Sequence, residues 1–192
     1  MKKVLVTAFA PFNMRNENES EEVLKQIDSK FNEGIVIKKF LPTAFYNSFE
    51  EVKKVIDKEK IDVIILLGEA SKRSMISIEK IAYNEIKTDI PDNNGKVLNQ
   101  KIFEDGEDKY YANFSPMKIK ELFDTKKIPS YVSEDAGRYV CNSLLYSVMH
   151  YQIQKDDIAP TTFIHLPISK NEEERNKLVF AINYLISRLF NE

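Results

Sequence analysis

The alternation in the first 68 residues constrains this chain most. Apolar runs at 3–9, 35–41 and 62–67 are separated by two stretches of helical periodicity. The run Val63-Ile64-Ile65-Leu66-Leu67 is continuous rather than alternating, as in a strand buried on both faces. Strand, helix, strand, helix, strand in that order predicts an α/β protein, with a mostly parallel sheet covered by helices. In such sheets ligands gather outside the carboxyl ends of the strands. The loops after Phe9 and after Leu67 are therefore candidate site loops. The first helix is expected from Asn18 to about Phe31, opened by an Asn-x-x-Glu capping arrangement with Glu21. The second opens at Asn47 with Glu50, and Phe49, Val52, Val55 and Ile56 form its apolar face.

The remainder is less regular. Residues 75–82 are expected to be extended, with Ile76 and Ile78 on one face and Ser77 and Glu79 on the other. Residues 91–95 are dense in turn formers, and 96–113 read as a polar loop. Further helices are expected over 116–124, from Val140 onward and over 171–190, with strands at 131–133 and 161–166. No repeat, low-complexity tract or linker interrupts the 192 residues, which predicts one domain over 1–192.

Composition narrows the function classes. A net charge of −2 gives no electrostatic case for binding nucleic acid or an anionic membrane. A single cysteine, no long apolar run and no signal pattern at Met1-Lys2-Lys3-Val4 point to the cytoplasm. Two histidines and one cysteine without CxxC or HExxH spacing argue against a metal, and no GxGxxG or GxxxxGK[ST] stretch suggests a nucleotide; no cofactor is expected.

The lone cysteine stands in Ala136-Gly137-Arg138-Tyr139-Val140-Cys141-Asn142. Val140, Leu144, Leu145, Val148 and Met149 have helical spacing, so Cys141 belongs to a first helical turn, with Gly137 turning the chain into it. The positive end of the helix dipole favours thiolate. A free cysteine is also commonly a small buried hydrophobe, so chemistry here depends on a base. His150 lies nine residues along the same helix, roughly 13.5 Å away on the opposite side, which predicts a solvated surface histidine. His165 lies near the end of the 161–166 strand and can share a crevice with Cys141, or can be an ordinary strand-end histidine. Glu79, on the polar face of its segment, can orient such a base or can pair with Lys80 or Arg73.

Several motifs in order resemble the pyroglutamyl peptidase I family of cysteine peptidases. They are Val6-Thr7-Ala8-Phe9-Ala10-Pro11-Phe12, the stretch from Arg73 to Ala82, Ile90-Pro91-Asp92-Asn93-Asn94-Gly95, the Cys141 motif, and Phe163-Ile164-His165-Leu166-Pro167. The resemblance implies a three-layer α/β/α fold around a twisted sheet, a possible homotetramer, and removal of an N-terminal pyroglutamyl residue from peptides. Carried over by position, it implies Cys141 as nucleophile, His165 as base and Glu79 as its orienting acid. An apolar pocket for the lactam ring falls on Phe9, Phe12, Thr43, Ile90, Tyr139 and Val140. Glu69 stands near that pocket, where the family often has glutamine. Asp89 replaces an arginine that stabilises the oxyanion in the family. It raises an alternative: a weak or inactive relative that binds a small amide or peptide terminus.

Overall fold

The computed structural model describes residues 1–12 and 14–190. Its centre is four parallel strands, β1 (Lys2–Phe9), β3 (Gly34–Leu41), β4 (Val63–Glu69) and β11 (Thr161–Leu166), ordered β11-β4-β1-β3. All six residues of β11 are buried, as are Val4 to Phe9 of β1, because helices cover both faces. On one face lie α1 (Glu19–Gln26), α3 (Pro116–Thr125) and α5 (Glu172–Phe190). They pack Val23, Phe123 and Ile182 against Val6, Ile65 and Ile164. On the other lie α2 (Asn47–Lys58) and α4 (Val140–Lys155), which pack Val52, Leu145 and Tyr146 against Leu5, Leu66 and Phe163. The result is three layers with a mixed, mostly parallel sheet.

On its far side this mostly parallel sheet includes a reversed strand. There β5 (Ile76–Glu79) runs antiparallel to β11, and β10 (Ser130–Ser133) runs parallel to β5. The residue pattern of a buried strand carries no direction, so this was invisible in the sequence. Ser77 and Glu79 are fully buried alongside Ile76 and Ile78, since β5 is an interior strand.

The first helix also ends earlier than expected. Asn18 does cap it, accepting from the Ser20 N–H at 3.0 Å, but α1 stops at Gln26. Residues Lys30–Phe31 form β2, which pairs antiparallel with the edge of β3 and sets the Phe31 ring 5.2 Å from Phe190. Asn47 is the first residue of α2 rather than its cap. Tyr46 is the cap residue, at φ +62° and without a side-chain cap bond, while Asp92 accepts from the preceding Phe45 N–H at 2.8 Å.

His150 is not solvated. The 96–113 segment folds over the outer side of α4, with short strands β8 (Asn99–Gln100) and β9 (Lys109–Tyr111) paired to β7 (Ile86–Lys87) and β6 (Ile81–Tyr83). Asn84 pins it by accepting from Ile102 and Phe103 N–H and donating to the Phe103 carbonyl at 2.8 Å. The His150 ring stacks on Phe103 with centroids 4.5 Å apart, meets the Tyr110 hydroxyl at 3.0 Å, and is 95% buried. Helical geometry placed this histidine away from Cys141; only a distant segment could cover it.

His150→Ala should therefore destabilise the protein by about 2 kcal/mol through lost aromatic packing and the loss of the Tyr110 hydroxyl's shorter hydrogen bond. Urea unfolding checks this, and a change below about 0.5 kcal/mol would mark a surface residue instead.

Candidate active site

The site forms where β4 and β11 end. Gly68 and His165 are register partners on these neighbouring strands, and Ser77 and Glu79 of β5 lie opposite His165 and Phe163. Paired residues, and residues two apart along a strand, share a face of the sheet. Phe163, His165, Ser77, Glu79 and the bare side of Gly68 thus all face α4.

Cys141 is the second residue of α4. Gly137, at φ +80°, turns the chain into that helix, a conformation glycine adopts without strain. The helix brings the Cys141 sulfur down onto Gly68: a Cβ on Gly68 would stand 3.0 Å from Sγ and 2.8 Å from Cζ of Phe163. Glycine there leaves room for the sulfur, on a strand that lies one spacing of about 4.8 Å from the strand of His165. No hydrogen bond joins sulfur and ring. His165 Nδ1 lies 2.7 Å from Oε1 of Glu79, and Nε2 makes no hydrogen bond to protein among the described residues.

Glu79 contacts two of the residues weighed for it in the sequence, His165 and Arg73. Its Oε1 meets His165 and also Nη1 of Arg73. Lys80 instead pairs with Glu134 at 2.8 Å. Arg73 also donates to Oγ of Ser77, and through Nη2 to the Asp135 carbonyl at 2.7 Å.

Burial pushes the Cys141 thiol up to about 12, helped by the negative charge of Glu79; Arg73 and the residue's own N–H pull the other way, more weakly. The thiolate expected from the helix N-terminus is therefore opposed by desolvation and by the charge of Glu79.

Beside the sulfur lies an aromatic recess. The Phe12 and Tyr139 rings are 5.8 Å apart, and Phe45 meets Tyr139 edge-on at 5.3 Å. The Tyr139 hydroxyl donates to the Pro91 carbonyl at 2.9 Å, and Thr43 donates to the Ala10 carbonyl at 2.6 Å. Asn93 ties both loops together, donating from its side chain to Pro11 and from its backbone to Thr43, each at 2.9 Å. Phe9 and Val140 are buried in the same cluster as Phe45, and Ile90, next to Pro91, is half exposed. Burial, with the charge of Asp92, pushes the Tyr139 phenol up to about 12, so it stays a neutral donor.

Glu69 does not belong to this recess. It follows Gly68, so alternation turns its side chain to the opposite face of the sheet. There it pairs with Arg15 and accepts the Glu19 N–H at 2.8 Å, capping α1. Asp89 is exposed after β7 and lines an open cavity with Ile86, Ile90 and Gln100, with no hydrogen bond to Cys141, His165 or Glu79. Another cavity, of about 640 Å³, lies beside Arg73 on the α5 side, between Met75, Ile128, Ile168 and Leu178. Sequence reasoning missed Phe45, which is fully buried and backs the Tyr139 ring; its only signal was an aromatic pair, Phe45-Tyr46, just after Pro42.

The profile of the pyroglutamyl peptidase family matches residues 2–177. A pyrrolidone-carboxylate peptidase of Thermosipho melanesiensis is 37% identical, over 98% of this chain and 95% of its own length. The chain belongs to the pyroglutamyl peptidase family. A second relative, from Pyrococcus furiosus, is 36% identical over 86% of this chain and 80% of its own. Solved structures agree on the fold. A pyrrolidone carboxyl peptidase from Fervidobacterium islandicum superposes with a TM-score of 0.90 at 27% identity, covering 98% of each chain. Pyroglutamyl peptidase I of Bacillus amyloliquefaciens gives 0.91 at 27% identity, over 100% of this chain and 98% of its own. Members of this family are cysteine peptidases, and the single cysteine of this chain stands at the recess. Among the described residues no group of three or more His, Cys, Asp or Glu is placed to hold a metal ion. No helix among them is long and apolar enough to cross a membrane.

With its thiol pushed up, native Cys141 should react with iodoacetamide at pH 7 more slowly than an unperturbed thiol of pKa about 8.5. Its rate should climb through pH 10. Mass spectrometry of alkylated protein measures this, and a fast rate already flat below pH 7 would show that a thiolate wins.

Proposed function

We propose that this protein is a cysteine exopeptidase that removes an N-terminal pyroglutamyl residue from peptides. The carrying observation is the convergence of Cys141, His165 and Glu79 on one face of the sheet beside an aromatic recess. A pyroglutamyl ring is compact and uncharged. It suits contact with the partly exposed rings of Phe12 and Tyr139 and with Ile90, backed by the buried Phe9, Thr43, Phe45 and Val140, with few polar contacts.

The protonation state suggests general-base chemistry. The resting sulfur is a thiol, so its proton has to leave as the C–S bond forms. Nε2 of His165, without a hydrogen-bond partner among the described residues, takes it, while Nδ1–H stays donated to the Glu79 carboxylate, which stabilises the imidazolium. Backbone N–H groups in the first turn of α4 receive the developing oxyanion, aided by the helix dipole. The imidazolium then protonates the departing amine, leaving a thioester between Cys141 and the pyroglutamyl group. His165 next draws a proton from water, the hydroxide equivalent attacks the thioester, and pyroglutamate and the free thiol are released. A cytoplasmic location and a homotetramer complete this reading, the first resting on the unpaired cysteine and the second on the resemblance.

Reduced protein should release fluorophore from pyroglutamyl-aminomethylcoumarin, and Cys141→Ser should lower that rate by about 10³-fold or more. No release from the reduced wild type, with pyroglutamate still bound, would favour a binding protein. Release that Cys141→Ser leaves intact would remove Cys141 from the chemistry.

A further inference from the structure

The mechanism above leaves a partly buried cation beside the site without a task. Arg73 sits in the loop between β4 and β5, its side chain 22% exposed, and its guanidinium reaches inward rather than to solvent. Nη1 meets both Oγ of Ser77 and Oε1 of Glu79. Nη2 donates to the Asp135 carbonyl at 2.7 Å. Asp135 in turn begins the turn that delivers the cysteine: its Oδ1 accepts from the Gly137 N–H at 2.9 Å and from Arg138 Nη1 at 2.6 Å. One guanidinium therefore spans the acid on β5 and the turn ahead of Cys141.

Glu79 needs such a neighbour. Its side chain has no exposure, and Oε2 makes no hydrogen bond. A carboxylate removed from water and lacking a positive partner takes up a proton instead. A neutral Glu79 could still meet His165, but it would no longer stabilise an imidazolium. The planar, permanently charged guanidinium is suited to this role, since it binds two groups in fixed directions and cannot deprotonate.

We propose that Arg73 is a positioning residue for the proposed reaction: it holds Glu79 ionised and fixes it relative to the Cys141 turn. Arg73 acts through Glu79 and touches no reacting atom. The inference rests on the reading of Glu79 as the acid behind His165, and its test is built to be separable from that reading.

Difference infrared spectroscopy reads the charge on Glu79 without any turnover. Arg73→Met should gain the carbonyl stretch of a protonated buried carboxyl at pH 7. The band should be missing from wild type, from Arg73→Lys and from the Arg73→Met/Glu79→Gln double variant. In the coumarin assay Arg73→Met should lower kcat by about 10²-fold with KM within about threefold, and should move the acid limb of kcat/KM to higher pH. Arg73→Lys should keep the wild-type acid limb at a reduced kcat, because it retains the charge and loses the fork. An Arg73→Met protein with no new carboxyl band and an unmoved acid limb would overturn the proposal. If Arg73→Met does not fold, Arg73→Lys decides: a protonated Glu79 in that variant overturns the proposal, an ionised one with lowered kcat supports it. An inactive wild type that shows the infrared pattern would count against the proposed function and leave the role of Arg73 standing.

Discussion

Glu79 has no contact with water, and its carboxylate is tolerated because an imidazole and a guanidinium meet it on one oxygen. Burying a carboxylate costs several kcal/mol unless charge and hydrogen bonds compensate it. The surroundings are arranged around that cost. β5 runs antiparallel to β11, which sets Glu79 opposite Phe163 and Ser77 opposite His165 on the face that carries α4. A parallel β5 would enter from the other end of the sheet and change which of its residues meet the end of β11. The reversed strand is thus what lets a residue from the middle of the chain reach a histidine 86 positions later.

The second dependence is steric. The sulfur can lie on the sheet only because Gly68 offers no side chain, and the helix can descend there only because Gly137 accepts a positive φ. α4 itself is buried nearly all round, from Val140 to Gln152. Its first turn meets the aromatic recess, while its far end is clasped by the 96–113 segment through His150, Tyr146 and Phe103. A helix held at both ends has little freedom to shift, so the position of Cys141 is inherited from packing well beyond the recess.

Local patterns were legible where burial leaves a periodic trace. The apolar runs of β1, β3, β4 and β11, the first-turn position of Cys141 and the cap at Asn18 could each be read from neighbours within a few residues. The reading failed wherever a distant segment decided the outcome. Phe31 left the helical register to pair with β3 and pack on Phe190. His150 was covered by residues some forty positions earlier in the chain. Glu69 was placed near the recess by the family resemblance, yet one step along a strand from Gly68 reverses the face, and it caps α1 instead. The thiolate favoured by a helix N-terminus is opposed by desolvation, a quantity that no local motif contains.

By itself the sequence determined the layered α/β class and the family, through hydrophobic periodicity and a set of ordered motifs, because both are properties of residues and spacings along the chain. The tertiary structure alone decided strand direction, which charges share one buried oxygen, and which face of the sheet each side chain serves. Those depend on register between strands far apart in sequence, and on the free energy of removing charge from water, which exists only once the layers have closed.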